Sequence, residues 1–244
     1  MKQGFVKVAS ATPRIRVADP VYNAQVICEQ AKEAAEHGAK IVVFPELCIT
    51  GYTCNDLFLQ ELLLEKAKEA LLTIAEETGQ LETLFLVGLP VDKDGRLYNV
   101  AAVLYRGRIL GMIPKKNIPM YAEFYEGRHF TPGEETVTEY RLGKQVIPFG
   151  SNLLFRCEEL PELILGCELC EDLWVAEPPS TSHALMGATV IANLSASNET
   201  VSKDDYRTLL IKASSARLLC GYIYTSAGEG ESTQDLVFGG HDLI

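Results

Sequence analysis

The sequence predicts an α/β fold, and three observations carry this prediction. Short apolar runs alternate along the chain with amphipathic segments of helical period, which is the pattern of strands packed against helices. The length of 244 residues fits one α/β domain better than two small ones. The apolar share of 47% is ordinary for a globular chain and excludes a largely disordered one.

The first half of the chain predicts two helices and five strands. Asp19 and Pro20 supply an N-cap and a first helical residue, and Gly38 ends the helix that follows. A second helix covers roughly residues 57–78. Strands are expected at residues 5–9, 41–44, 84–89, 100–105 and 109–113, the last two joined by a turn at Arg106-Gly107.

The second half of the chain begins with a segment whose apolar residues recur at no clear helical or strand spacing. Residues 114–150 contain four prolines and are expected to form a long loop, and long loops inside compact domains are often functional. After this segment the pattern predicts a helix at roughly 203–219. Further strands are expected at residues 163–167, 189–194, 222–225 and 236–238.

Charge and cysteine content exclude several classes of protein. The net charge is −11, so a partner held through its phosphates, such as a nucleic acid, is not expected. No apolar run reaches the ~18 residues of a membrane span, and the N-terminus has no apolar core typical of a signal peptide. The seven scattered cysteines indicate free thiols in a reducing cytoplasm rather than a disulfide framework.

Three reactive side chains share one context, because each lies just beyond a predicted strand. They are Glu46, Lys115 and Cys170, after the apolar runs 41–45, 109–114 and 163–169. Strand ends are where α/β proteins place chemistry, since the strand is rigid and the loop is accessible. A single residue of any of these types after a strand is ordinary, so the hypothesis depends on the three together.

Together these side chains suit the cleavage of an amide. A thiol is a poor nucleophile until it loses its proton, which Glu46 would accept as a general base. Lys115 would favour the thiolate and then stabilise the oxyanion of a tetrahedral intermediate. Glu46 would later protonate the leaving amine. None of the four histidines is obviously tied to a reactive cysteine, so a Cys-His dyad has less support.

Cys167 and Cys170 also form a CxxC motif. A redox dithiol usually opens a helix, whereas these cysteines follow a strand pattern, in which an odd spacing sends the two side chains to opposite faces. No second pair of ligands accompanies them, so neither redox chemistry nor a metal site is expected. Cys167 is instead expected in the buried core.

Five segments, in order along the chain, resemble motifs of the nitrilase (carbon–nitrogen hydrolase) superfamily. They are FPELCITGYTCNDLF, PKKNIPMYAEFYEGRHFTPG, CELCEDLW, NLSASNETVSKDDYR and TQDLVFGGHD, and they span residues 44–242. Within the superfamily they are most similar to the glutaminase domains of glutamine-dependent NAD synthetases. The sharpest discriminator is CED followed by LW, because stand-alone amidases tend to have an aromatic residue and then Asp after the cysteine.

The resemblance implies a four-layer α-β-β-α sandwich and a Glu-Lys-Cys triad. Glu46 would be the base, Lys115 the electrostatic stabiliser and Cys170 the nucleophile. The family's lysine precedes Leu-Pro by two residues, and Ile118-Pro119 points to Lys115, with Lys116 as the alternative. The implied reaction is hydrolysis of L-glutamine to glutamate and ammonia through a cysteinyl thioester.

The resemblance also implies a site for the two charged ends of glutamine. Glu171 matches a position that contacts the substrate amino group. Ser197 and Lys203 match positions that contact its carboxylate, although related enzymes often have arginine in place of the lysine, and lysine lacks the bidentate fork. The remaining matches are Tyr121 and Phe124, which would line the glutamine site, and Glu126, a further active-site carboxylate.

At the level of domains, residues 1–244 are expected to form one carbon–nitrogen hydrolase (glutamine amidotransferase) domain, truncated at its C-terminal end. The family's synthetase domain, which uses ATP and magnesium to make NAD from its deamido form, shows no motif here such as SGGxDS. This domain itself is expected to need no cofactor. A sheet cut near residues 234–244 would keep an unpaired edge, so a homo-oligomer is expected.

Two other functions fit the residues. A stand-alone amidase of the superfamily, such as an ω-amidase, would use the same triad on a different amide. A non-catalytic binding domain is the third reading, and the intact triad argues against it.

Overall fold

The computed structural model describes residues 4–244 as two β-sheets and four α-helices. The helices are α1 (Pro20–Glu36), α2 (Glu61–Glu77), α3 (Pro179–Leu185) and α4 (Lys203–Leu218). The strands are β1 (Val8–Ser10), β2 (Ile41–Val43), β3 (Leu84–Lys93), β4 (Arg96–Tyr105), β5 (Arg108–Pro114), β6 (Thr138–Leu142), β7 (Gln145–Phe149), β8 (Leu154–Arg156), β9 (Ile164–Leu169), β10 (Val190–Ser195) and β11 (Gly221–Ser226).

The strands form a large and a small sheet. The large sheet has the order β1-β2-β3-β4-β5-β7-β6, and the small sheet has the order β11-β10-β9-β8. The strands β1, β2 and β3 are parallel, whereas β3, β4 and β5 form an antiparallel meander. In the small sheet, β9, β10 and β11 are parallel.

The buried side chains show a four-layer arrangement. Helices α1 and α2 pack their apolar faces, including Ile27 and Leu71, on one face of the large sheet. The opposite face packs against the small sheet, with Leu86 among the side chains on one side and Leu194 on the other. Helices α3 and α4 cover the outer face of the small sheet, where Ile211 lies in the core. The predicted α-β-β-α sandwich is therefore confirmed.

The first helix forms for the reasons that the sequence indicates. Asp19 Oδ1 accepts a hydrogen bond from the Tyr22 backbone N–H at 3.1 Å, and Pro20 occupies the first helical position. The helix gives way to a turn at Gly38, which has a φ of +83°, a conformation that glycine adopts at little cost.

The prediction of a long loop over residues 114–150 is wrong in part. Residues 138–142 and 145–149 form the antiparallel pair β6 and β7, and β7 joins the edge of the large sheet beside β5. Tyr140 and Leu142 face the core while Glu139 and Arg141 face solvent, an alternation typical of an edge strand. Pro148 lies on β7, between β5 and the edge strand β6, and β7 pairs with β5 only through Phe149.

The strand predicted at residues 236–238 is also wrong. This segment is irregular, and the Val237 carbonyl accepts a hydrogen bond from the Glu199 N–H at 2.7 Å in the loop after β10. The edge of β11 pairs further along the chain, where Tyr224 and Leu243 form an isolated antiparallel bridge. The first strand begins at Val8 rather than at Phe5.

The cysteines in the described part of the chain are all free thiols. Cys167 lies between the two sheets, as predicted, and Cys170 begins the 3₁₀ turn that follows β9. Across residues 4–244, no cluster of three or more His, Cys, Asp or Glu side chains is arranged to hold a metal ion. Over the same residues, no helix is both long enough and apolar enough to cross a membrane.

A close backbone approach at Gly88 joins β3 to the segment that carries Glu46. A Cβ atom on Gly88 would lie 2.2 Å from the Leu47 nitrogen and 2.7 Å from the Pro45 carbonyl oxygen. Both atoms belong to the backbone, so they have no rotamer through which to move away. The turn after β2 therefore depends on the missing side chain at this position.

We expect Gly88→Ala to lower the free energy of unfolding by about 1–3 kcal/mol, because the added methyl displaces the turn after β2. The matched control is Gly221→Ala, at the start of β11, where the nearest atom to an added Cβ is 3.7 Å away. Urea denaturation of both variants measures the difference. Equal stabilities would contradict the close approach described here.

Candidate active site

The ends of three strands bring Glu46, Lys115 and Cys170 to one seam between the sheets. Strands β2 and β5 point in the same direction, because β2 and β3 are parallel and two antiparallel steps lead from β3 to β5. Glu46 and Lys115 thus leave the same edge of the large sheet. Cys170 follows β9 in the small sheet. The Glu46 backbone N–H donates to the Ser195 carbonyl at 3.3 Å, which links the two sheets.

A buried ion cluster forms where these strands end. The Lys115 ammonium donates hydrogen bonds to Glu46 Oε1 and to Glu126 Oε1, each at 2.6 Å. The side chains of Lys115 and Glu46 are inaccessible to solvent, and that of Glu126 is 4% exposed. The Tyr52 hydroxyl donates to Glu126 Oε1 at 2.7 Å. Two carboxylates therefore share one ammonium group away from water.

The neighbouring lysine has a different environment. Lys116 is half-buried, and its ammonium pairs with Glu135 Oε1 at 2.5 Å, away from the ion cluster. Of the two adjacent lysines, the structure thus brings Lys115 to Glu46 and turns Lys116 outward.

Glu46 is held from several directions. Glu46 Oε2 accepts a hydrogen bond from the Ala196 backbone N–H at 2.9 Å, and Oε1 accepts one from the Asn99 amide at 2.7 Å. Burial raises the pKa of the Glu46 carboxyl to about 7, against the opposing effect of Lys115. A carboxyl with a pKa near neutrality is suited both to accept and to return a proton.

Lys115 keeps its positive charge despite complete burial. Burial acts to lower the pKa of the ammonium, but Glu126 and Glu46 outweigh this effect, and the pKa stands well above its ordinary value. A fixed cation in a site without water is suited to stabilise a developing oxyanion. It is not suited to act as a base, because it does not give up its proton near neutral pH.

Cys170 is buried and conformationally constrained. Its φ of +41° is in the left-handed region, which non-glycine residues adopt at a cost and which is common at functional sites. Burial and the negative charge of Glu46 raise the pKa of the thiol well above its ordinary value, against the effect of Lys115. The resting cysteine is therefore a thiol, and its attack requires a base nearby.

Asp172 ties the cysteine turn to the segment after Lys115. Asp172 Oδ2 accepts a hydrogen bond from the Leu169 N–H at 3.0 Å, and Oδ1 accepts one from the Asn117 N–H at 2.8 Å. Burial raises the pKa of this carboxyl to about 6. The buried side chain of Asp172 thus fixes the position of the turn that begins with Cys170 relative to the strand end that carries Lys115.

Most of the residues expected to bind substrate cluster beside Glu171, the residue that follows Cys170 in the chain. The Tyr121 hydroxyl donates to Glu171 Oε2 at 2.9 Å, and the Tyr121 and Phe124 ring centroids are 5.8 Å apart. The Lys203 ammonium lies 5.4 Å from the ring centroids of both Phe124 and Trp174. Glu171 and Lys203 are each partly exposed, and both contact the aromatic pair of this cluster, so an acid and a base lie near one another.

Ser197, the remaining residue expected to bind substrate, is buried on the loop after β10. Its hydroxyl accepts a hydrogen bond from Arg207 Nη2 at 3.2 Å, and the same nitrogen donates to the Asn198 carbonyl at 3.1 Å. Arg207 is fully buried and pairs with Glu199 Oε1 at 2.9 Å. Lys203 also donates a hydrogen bond to Asn198 Oδ1. The loop is therefore held by two cations from α4.

Sequence reasoning missed three residues of this site, which are Asn99, Asp172 and Arg207. Asp172 and Arg207 lie inside motifs already quoted, and Arg207 follows Lys203 by one helical turn. Asn99 carried a weaker signal. It is a polar residue inside the apolar strand β4, whose start the sequence pattern placed one residue after it.

Comparisons with known proteins agree with this geometry. The carbon–nitrogen hydrolase family pattern matches residues 7–241. Glutamine-dependent NAD(+) synthetase of Mycobacterium tuberculosis is 42% identical over 100% of this chain and 36% of its own length. The enzyme of the same name from Thermotoga maritima is 33% identical over 100% of this chain and 38% of its own length. The chain thus spans a little over a third of these curated relatives.

Solved structures show the same fold. A glutamine-dependent NAD(+) synthetase from Cytophaga hutchinsonii superposes with a TM-score of 0.88 at 29% identity, covering 98% of this chain and 38% of that one. An amidase from Nesterenkonia sp. superposes with a TM-score of 0.75 at 20% identity, covering 100% of this chain and 83% of that one, a likeness of fold alone. With the family pattern matched over nearly its whole length, this chain belongs to the carbon–nitrogen hydrolase family.

Proposed function

We propose that this chain hydrolyses L-glutamine to glutamate and ammonia through a thioester on Cys170. One observation carries the proposal. The buried carboxylate of Glu46 and the buried ammonium of Lys115 meet at the strand ends beside Cys170. An acid and a base, Glu171 and Lys203, lie close to the same cysteine. The similarity to glutamine-dependent NAD(+) synthetases supports glutamine as the substrate.

In the first half of the reaction, Cys170 Sγ attacks the carboxamide carbon of glutamine. The thiol proton passes to Glu46, and the Lys115 ammonium stabilises the negative charge that develops on the carboxamide oxygen. Glu46 then returns the proton to the nitrogen. The C–N bond breaks, ammonia leaves, and a γ-glutamyl thioester remains on Cys170.

In the second half, water replaces the thiol. Glu46 accepts a proton from the water as its oxygen attacks the thioester carbon, and Lys115 again stabilises the oxyanion. The C–S bond breaks, the sulfur recovers the proton from Glu46, and glutamate leaves. A base with a pKa near 7 performs both transfers, because it both accepts and releases a proton near neutral pH.

Selection of glutamine over simple amides requires recognition of its ammonium and carboxylate groups. We assign the ammonium to Glu171, whose carboxylate is oriented by Tyr121. We assign the carboxylate to Lys203 and Ser197, the latter fixed by the buried guanidinium of Arg207. Phe124 forms an apolar wall beside Lys203.

In a longer polypeptide, the ammonia would pass to a synthetase domain that makes NAD from its deamido form with ATP and magnesium. The relatives support this proposal, since each matches this chain over only part of its own length. Association of several copies and a cytoplasmic location remain predictions from the sequence.

We expect Cys170→Ala to reduce glutamine hydrolysis by about 10⁴-fold or more, because the variant has no nucleophile. Cys167→Ala is the matched control, a buried cysteine three positions earlier that lies between the sheets, and it should retain most activity. A diazoketone analogue of glutamine should alkylate Cys170 with release of N₂, adding the mass of the analogue less that of N₂ to the peptide that contains this residue. Labelling of Cys54 or Cys220 instead would contradict the assignment.

We expect kcat/KM for glutamine to fall below about pH 7, because protonated Glu46 cannot accept the thiol proton. The loss should approach tenfold for each pH unit below this value. Initial rates from pH 5 to pH 9 measure it, with circular dichroism as the control for folding. Glu46→Gln should lower turnover by about 10²–10⁴ and abolish this dependence. A limb near the ordinary value of about 4.3 for a glutamate would show that the pKa of Glu46 is not raised in the active enzyme. A limb that persists in Glu46→Gln would show that Glu46 is not the base.

We expect Glu171→Gln and Lys203→Met to weaken the preference for glutamine over an uncharged short amide, because each removes one charge that faces the zwitterion. The ratio of kcat/KM for the two substrates should fall by about tenfold in each variant. An unchanged ratio in both would show that the amino-acid group binds elsewhere. That result would favour a stand-alone amidase acting on other amides.

A further inference from the structure

Asn99 lies on β4 and contacts both carboxylates of the ion cluster and the backbone of Lys115. Its amide nitrogen donates to Glu46 Oε1 at 2.7 Å and to Glu126 Oε2 at 3.3 Å. Its backbone carbonyl accepts from the Lys115 N–H at 2.8 Å. The residue is fully buried. One asparagine thus joins the two carboxylates through its side chain and holds the backbone of Lys115 through its own carbonyl.

The other end of the same side chain is unsatisfied. Asn99 Oδ1 is buried and has no hydrogen-bond partner within residues 4–244. Such an orphan acceptor is destabilising, and an apolar residue would suit a strand whose neighbouring side chains are apolar. The two N–H groups of the amide must therefore have a role that an apolar side chain such as leucine or valine could not fill.

We propose that Asn99 is a positioning residue for the glutaminase reaction proposed above, on which this inference rests. Its amide fixes the separation of Glu46 and Glu126 and keeps the negative charge on Glu46, the carboxylate that receives the thiol proton. Asn99 itself does not touch the substrate.

Glu46 needs such a donor because most of its titratable neighbours oppose its charge. The groups that act on it from the surrounding elements are Lys115, Glu126, Cys170, Tyr52 and Glu231. Lys115 is the single cation of this set, and Glu126 shares it. The Asn99 amide lowers the pKa of the Glu46 carboxyl, against the larger effect of burial.

The direction in which Asn99 shifts the pKa of Glu46 depends on whether its amide binds the ionised or the protonated carboxyl. An N–H group stabilises the ionised carboxylate, so removing it makes Glu46 hold its proton to higher pH. The acidic limb of kcat/KM should then move upward by about one pH unit in Asn99→Leu, a variant of similar shape with no donor. Asn99→Ser, which keeps one short donor, should move it by about half a unit.

The test compares these variants with Asn23→Leu. Asn23 is also fully buried, and its amide donates to the Arg16 and Ile49 carbonyls near α1, outside the ion cluster. We expect Asn23→Leu to lower the thermal midpoint and leave the acidic limb in place. An Asn99→Leu profile that coincides with wild type, with only a lower midpoint, would overturn the proposal. If Asn99→Leu does not fold, an unshifted Asn99→Ser profile overturns it equally.

A second measurement does not depend on glutamine hydrolysis. The rate at which iodoacetamide alkylates Cys170 should show the same upward displacement with pH, because the thiol gives its proton to the same carboxylate. Wild-type protein that fails to hydrolyse glutamine but shows this displacement in Asn99→Leu would refute the proposed function and support the role of Asn99. Wild-type protein that hydrolyses glutamine, together with an Asn99→Leu alkylation profile that is not displaced, would support the proposed function and overturn the role of Asn99.

Discussion

The structure of the site depends on the burial of one ammonium group between two carboxylates. Removing Lys115 and its partners from water is costly, and close contact repays that cost only when the remaining polar atoms are satisfied. The distances of 2.6 Å from Lys115 to Glu46 and to Glu126 meet the first condition. Donors from Tyr52, Asn99 and the Ala196 backbone meet the second for the carboxylates. The cluster therefore constrains several elements at once.

The packing of the two sheets sets the distance between Glu46 and Cys170. Glu46 and Lys115 belong to the large sheet, whereas Cys170 and the Ala196 amide belong to the small one. The interior between the sheets is apolar and close-packed, so the two halves of the site cannot drift independently. The absence of a side chain on Gly88 lets the Glu46 turn approach β3 closely enough to reach this seam.

The success of the sequence analysis at the strand ends has a physical basis. A buried strand needs an apolar run, and the reactive residues just after such a run lie where the strand ends. Glu46, Lys115 and Cys170 were therefore identifiable without coordinates. The same logic failed at β6 and β7, because these strands are exposed on one face and carry charges and a proline that resemble a loop. The segment at 236–238 is apolar because Phe238 packs against Tyr52, and periodicity cannot separate such a contact from a strand.

By itself, the sequence determined the α/β class, the strand-end positions of Glu46, Lys115 and Cys170, and, through its motifs, the layered fold that these share with a known family. The class and the strand-end positions follow from local patterns of apolar and polar residues, and the layered fold follows from the family resemblance. The motif pointed to Lys115, but only the tertiary structure showed that this lysine contacts Glu46 while Lys116 turns away, and that Asn99 joins the two carboxylates. Both depend on the register and packing of strands distant in sequence, because a side chain's partner is set by what the fold places opposite it.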